Sequence, residues 1–151
     1  MKIALRTLRL LALIVWVGAL TFFGVVAYVA FTHLPSQHDA GLVVGGCLRI
    51  LHTIGLVCGA VLIATSLGLA RTRRTILFAA IATAMMALTA YSQYSILPRM
   101  DADRAEAGGE IARECQSAPC NDFNRLHVRS VNVEKSVLVG GLALTVLLAI
   151  E

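Results

Sequence analysis

Four long apolar runs decide what this chain can become. They lie at roughly Leu10–Phe31, Ile50–Ala70, Ile76–Ile96 and Val131–Ile150. Each holds about 20 residues, the length an α-helix needs to cross a hydrocarbon layer of about 30 Å. In lipid, backbone polar groups must be paired inside the structure, so a lone run of this kind crosses as a helix. With 58% hydrophobic and 15% charged residues in 151, the chain is too apolar for an ordinary soluble domain. The expected fold is all-α: an antiparallel four-transmembrane-helix bundle, one membrane domain over 1–151, with a polar third loop. Helices are expected at about 8–32, 42–70, 75–97 and 121–150, and the loop at about 98–120.

Charge then suggests an orientation. Lys2, Arg6 and Arg9 precede or open the first run, Arg71, Arg73 and Arg74 separate the second from the third, and Thr32–Ala40 has no Lys or Arg. The positive-inside rule places both termini in the cytoplasm and the first and third loops outside. The third loop carries Arg99, Arg104, Arg113, Arg125 and Arg129, balanced by Asp101, Asp103, Glu106, Glu110, Glu114 and Asp122. The net charge of +4 thus reads as membrane orientation, and no nucleic-acid partner is expected. The first run resembles a signal peptide in its basic start, but about 22 apolar residues exceed a typical signal core, so it reads as a retained helix.

Two stripes break the apolar pattern. Gly45, Arg49, His52, Leu56 and Gly59 share one helical face by their 4-3-4-3 spacing, and Phe123, His127, Ser130, Glu134, Val137 and Gly141 form another. Antiparallel alternation puts the end of helix one, the start of two, the end of three and the start of four on the same side. The spacing therefore predicts a polar cluster of Arg49, His52, Tyr91, His127 and Glu134 at the outer end of the bundle, with Arg49 and Glu134 as an ion pair. Such a cluster either locks helix packing or lines a pocket for a small polar ligand. His33, His52 and His127 come from different helices at that end, and facing imidazoles can ligate copper or haem. That set is the alternative; the leading expectation is no cofactor.

Cys115 and Cys120 flank Gln-Ser-Ala-Pro in the third loop. In an oxidising periplasm they are expected to form a disulfide, while Cys47 and Cys58, eleven residues apart on one helix, read as packing residues. Helix four is expected to start near Asn121 as N-cap. No Gly-x-Ser-x-Gly, phosphate-binding glycine loop or paired acids with a base occurs, so an enzyme is not expected.

Trp16-Val17-Gly18-Ala19, Phe22-Phe23, Leu34-Pro35, Ala40-Gly41 and Leu51-His52, followed by Tyr91-Ser92-Gln93, Pro98-Arg99-Met100, Arg104, Phe123, Leu126-His127, Ser130 and Gly141-Leu142, occur in order along nearly the whole chain. In this the sequence resembles the transmembrane protein 205-like family, which implies a four-helix membrane protein and no established reaction. A looser likeness, through the Trp-x-Gly element, links it to copper-resistance membrane proteins. The expected role is a small protein of the bacterial plasma membrane that binds or passes a small solute or ion, or supports a partner, through its polar cluster. A structural accessory subunit is a further alternative. Expected partners are the lipid bilayer and either a second copy or another membrane protein.

Overall fold

The structure is a computed structural model that describes residues 2–69, 72–107 and 117–150. Among these the chain is all helical. Helix α1 covers Lys2–His33, α2 Gln37–Leu67, α3 Arg73–Tyr91, α4 Leu97–Glu106 and α5 Ala118–Ala149. A π-helical turn, Ser92–Ile96, joins α3 to α4 without a break, so Arg73–Glu106 acts as one long helix. Four helices are therefore long and apolar enough to cross a membrane.

The junctions follow from local chemistry. Pro35 cannot extend a helix, and α1 ends at His33. Ser36 caps α2: its hydroxyl oxygen accepts from the Asp39 backbone N–H at 3.0 Å, and its O–H donates to the Asp39 carboxylate at 2.7 Å. Thr72 caps α3 the same way, accepting from the Thr75 N–H at 3.2 Å. Helix α5 starts earlier than the sequence suggests. Ser117 is its N-cap and Pro119 lies in the first turn, where a missing N–H costs nothing. Asn121, expected as the cap, instead donates its amide to the Ser117 carbonyl at 3.1 Å.

Pro98 does not stop the third span either. The Leu97 N–H reaches back five residues to the Ser92 carbonyl. That wider turn relieves the clash a proline ring makes with the preceding helical turn, and the helix runs on through Asp101 and Arg104. The expected loop from 98 is thus helical as far as Glu106.

Neighbours pair in opposite sequence order, as antiparallel helices do. Gly68 lies against Leu5 and Gly55 against Trp16; Gly59 lies against Met86, and Gly140 against Met85. The Arg74 guanidinium donates to the Ile150 carbonyl at 2.8 Å. One continuous core joins the helices, including Leu13, Trp16, Leu62, Ala82, Met85, Val137 and Leu144. The outside is just as apolar: Phe22, Ile50 and Val139 are each about two-thirds exposed. Large exposed apolar surfaces of this kind need a non-aqueous neighbour, here lipid tails.

Close approach is bought by small residues at two points. A Cβ built on Gly55 would lie 2.7 Å from Trp16 Nε1, and one on Gly141 would lie 2.7 Å from Val17 Cγ2. Without a hydrophobic force between helices inside lipid, such close packing is what holds them together.

One charge lies deep at the basic end. Arg9 is 1% exposed, its guanidinium 4.5 Å from the Phe78 ring centroid. The sequence reading counted it only as an orientation charge. Lys2, Arg6, Arg73 and Arg74 gather around a shallow groove beside it.

Candidate functional site

At the opposite end, α1 and α5 part. They touch at Val17 and Gly141. One turn further toward the polar end, Leu20 and Leu138 begin the lining of a cleft of about 670 Å³. Its walls come from four helices. Helix α1 contributes only apolar or small groups, Leu20, Phe23, Gly24, Ala27 and Phe31. Helix α2 adds His38, Arg49 and the glycines Gly41, Gly45 and Gly46; α4 adds Asp101 and Arg104; α5 adds Phe123, His127, Ser130, Glu134 and Lys135. The glycines make room. A Cβ at Gly24, Gly45 or Gly46 would meet nothing within 4 Å, and one at Gly41 would come within 3.2 Å of the Arg104 guanidinium.

Behind the cleft lies a three-residue network that reaches its lining through Glu134 alone. His52, 1% exposed, bonds through Nε2 to Glu134 Oε1 at 2.7 Å and through Nδ1 to Gln93 Oε1 at 2.9 Å. An ionised carboxylate can only accept, so Nε2 carries the proton of the first bond. The Gln93 carboxamide can accept at its oxygen or, turned over, donate from its nitrogen, so it suits either form of the imidazole. The other carboxylate oxygen, Glu134 Oε2, is buried with no partner in the protein, and Glu134 faces the cleft.

This network is deeper than the sequence suggests. His52 stands fifteen residues from each end of α2, and Glu134 is similarly central in α5. At 1.5 Å per residue, His52 is about 22 Å from either end of its helix. Exposed large apolar residues on α2 run from Leu42 to Leu67, so His52 falls near the middle of the lipid-facing band. The apolar run begins only at Ile50, which made the site look close to a boundary. The helix in fact starts at Gln37.

The expected Arg49–Glu134 pair does not form. Arg49 pairs with Asp101 of α4, both about half exposed. Its position one turn above His52 puts its long side chain at the rim, where it keeps its hydration, and the continuing helix beyond Pro98 supplies the carboxylate. Tyr91 is also not in the cluster: it is 43% exposed and does not line the cleft. His127 lines the cleft but does not touch His52. It stacks on Phe123 at 6.4 Å between centroids, two turns above Glu134 on α5. Of the five expected residues, then, His52 and Glu134 meet, Arg49 and His127 stand on the walls above them, and Tyr91 faces outward.

The histidine set proposed for copper or haem does not assemble. His33 is exposed and bonds within its own helix turn, Nδ1 lying 2.8 Å from Thr32 Oγ1 and 3.1 Å from the Val29 carbonyl. His52 has both nitrogens engaged. No group of three or more His, Cys, Asp or Glu side chains is placed to hold a metal ion among the described residues. Cys47 and Cys58 are free thiols. Cys115 lies outside the described residues, and with it the expected disulfide to Cys120.

Gln93, Asp101, Arg104 and Lys135 are the residues that sequence reasoning left out of the site. The signal for the first was present in the polar run Tyr91–Ser95, but a regular helix does not say which of those side chains turns inward. Asp101 and Arg104 lay in a region read as loop, and Lys135 lies off the stripe read on helix four.

Fold and site together define a multi-pass α-helical membrane protein with a cleft that reaches Glu134, central in α5. The sequence pattern of a domain of unknown function, DUF4149, matches residues 11–108. The chain belongs to that family, whose matched region takes in α1, α2, α3 and α4 and so three of the four cleft walls. No curated protein matches the chain, and no solved structure does.

Proposed function

We propose that this protein binds a small solute within the membrane and does no chemistry on it. The observation that carries the reading is the cleft itself: a volume of about 670 Å³ falls in the range of small-molecule sites, about 300–1,000 Å³, and polar groups converge at its floor within an apolar surround. Glu134 lines that space, and its Oε2 is a buried acceptor without a partner in the protein, a costly state. The resemblance to the transmembrane protein 205-like family supports the same general picture of a four-helix membrane protein.

The test uses a cleft-filling variant. Gly45→Leu is expected to fold, because its Cβ meets nothing within 4 Å. Thermal unfolding in a neutral maltoside detergent is followed against acetate, inorganic phosphate, choline and oleate. At least one should raise the melting temperature of the unaltered protein and leave Gly45→Leu unmoved. A panel that shifts neither protein, or both equally, rejects solute binding in this cleft and favours the reading as a structural accessory subunit, with His52, Gln93 and Glu134 serving only to lock helices.

We further infer the plasma membrane of a bacterium, with both termini in the cytoplasm. Lys2, Arg6, Arg73 and Arg74 gather at one end, with Ile150 beside Arg74, and a basic end faces inward by the positive-inside rule. Reporter fusions after Glu151 and at Ala107 should report opposite sides, the first cytoplasmic. A reversed result would turn the cleft toward the cytoplasm.

A further inference from the structure

The cleft has a charge pattern that selects among solutes. Resting on the binding role proposed above, we propose that its ligand is a single-chain anionic amphiphile, one acyl tail ending in a carboxylate or phosphate. The ionisable groups of the lining divide into satisfied and unsatisfied. Arg49 is paired with Asp101, and Glu134 is bonded to His52 through Oε1 while its Oε2 has no partner. Besides the histidines His38 and His127, that leaves the cations Arg104 and Lys135, which face the cleft without a carboxylate partner among the described residues. The Arg104 guanidinium lies 5.0 Å from the Phe123 ring centroid and close against Gly41, where a Cβ would come within 3.2 Å of it. A guanidinium carries N–H donors that match carboxylate or phosphate two bonds at a time. His127 stands beside it on the same wall.

The opposite wall has the other half of the pattern. Leu20, Phe23, Ala27 and Phe31 of α1 bring no polar side chain into the cleft over about 16 Å of helix. A hydrophilic anion would leave that surface uncovered, while a neutral hydrocarbon would leave Arg104 and Lys135 without counter-charge. An amphiphile satisfies both. Its head would sit by Arg104 near the polar end and its tail would run along α1 toward Leu138. The lining residues Phe31, Leu42 and Val131 are themselves 48%, 50% and 38% exposed, so the apolar part of the cleft is open to a chain from outside. About 670 Å³ suits one acyl chain with its head and is too small for a two-chain phospholipid.

The experiment is native mass spectrometry of the full chain released from maltoside micelles, titrated with oleate, oleoyl lysophosphatidate, oleyl alcohol and inorganic phosphate. Oleate or the lysophosphatidate should give a saturable one-to-one adduct; whichever binds more tightly identifies the head group. Oleyl alcohol, with the same tail and no charge, should bind at least about tenfold more weakly, as should phosphate. Arg104→Gln should bring the anionic lipid down to the level of the alcohol with the melting temperature unchanged, and Lys135→Gln should act in the same direction. Equal binding of acid and alcohol, or no effect of Arg104→Gln, overturns the anionic amphiphile. If phosphate alone binds and Gly45→Leu abolishes it, the cleft still binds a solute but not this one. If Gly45→Leu changes the binding of none of the four ligands, both the amphiphile and the solute-binding role fall.

Discussion

Replacing His52 by Leu is expected to destabilise the protein by about 3–5 kcal/mol, because it leaves a carboxylate buried near mid-membrane without its partner. Glu134→Leu should cost less, since the imidazole that remains still bonds to Gln93. The double variant is the informative one. Two apolar side chains of similar volume remove the buried ion pair, leaving only the part-buried Gln93 carboxamide without its partner, and replacement of a buried pair in this way is often neutral or better. Unfolding in detergent of the two single variants and the double variant gives a coupling energy, expected to be several kcal/mol. Arg49→Ala with Asp101→Ala makes the comparison. That pair is about half exposed on both sides, and such pairs couple by about 0–1 kcal/mol. Strictly additive losses for His52 and Glu134 would show that the imidazole and the carboxylate do not interact.

The second large effect is expected where α1 meets α2. Trp16 is 1% exposed, and Trp16→Ala should cost about 3–5 kcal/mol through the cavity it leaves. Gly55→Ala attacks the same contact from the other side. Its new methyl would lie 2.7 Å from Trp16 Nε1 and 3.0 Å from Cε2. A ring packed on every side cannot yield easily, so the expected loss is about 1–3 kcal/mol in spite of the better helix propensity of alanine. Gly59→Ala is the control. Its methyl would lie 3.1 Å from both Cβ and Cγ of Met86, a looser contact than the 2.7 Å at Gly55 that a shift of a few tenths of an ångström relieves, so the variant should lose less than Gly55→Ala, with the gain in helix propensity offsetting part of the squeeze. Equal losses at Gly55 and Gly59 would mean that the rigidity of the indole is not what matters.

The spans were legible because lipid permits so little else. A run of about 20 apolar residues has one regular way across, and the four helices follow from that constraint alone. The stripe on α5 was also readable: Phe123, Ser130, Val137 and Gly141 are all buried, since an uninterrupted helix keeps its period. On α2 the stripe was partly displaced. The buried face centres on Leu51, His52, Gly55, Cys58 and Leu62, while Arg49 is exposed; its long stem let it serve the rim from a position that looked inward. Partner choice was not legible. Arg49 and Glu134 were matched on charge, whereas the structure matches by depth, pairing Glu134 with the histidine at its own height. Asp101 was out of reach of the argument because Pro98 reads as a stop, and only a change of helical type carries the chain past it.

That change of type sets the rotation of everything after it. A π turn holds one residue more than the α turn it replaces, so the chain leaves it about 100° out of step with the helix that entered. The membrane-buried part of this long helix and the part that borders the cleft therefore keep separate angular settings on one rod. Deleting a single residue from Ser92–Ile96 would leave both parts helical, with nearly the same composition and apolar content. It would nonetheless swing Asp101 and Arg104 around the axis by about 100°, away from Arg49, Gly41 and Phe123, and the cleft would lose its cationic mouth with no change in any of the side chains that form it.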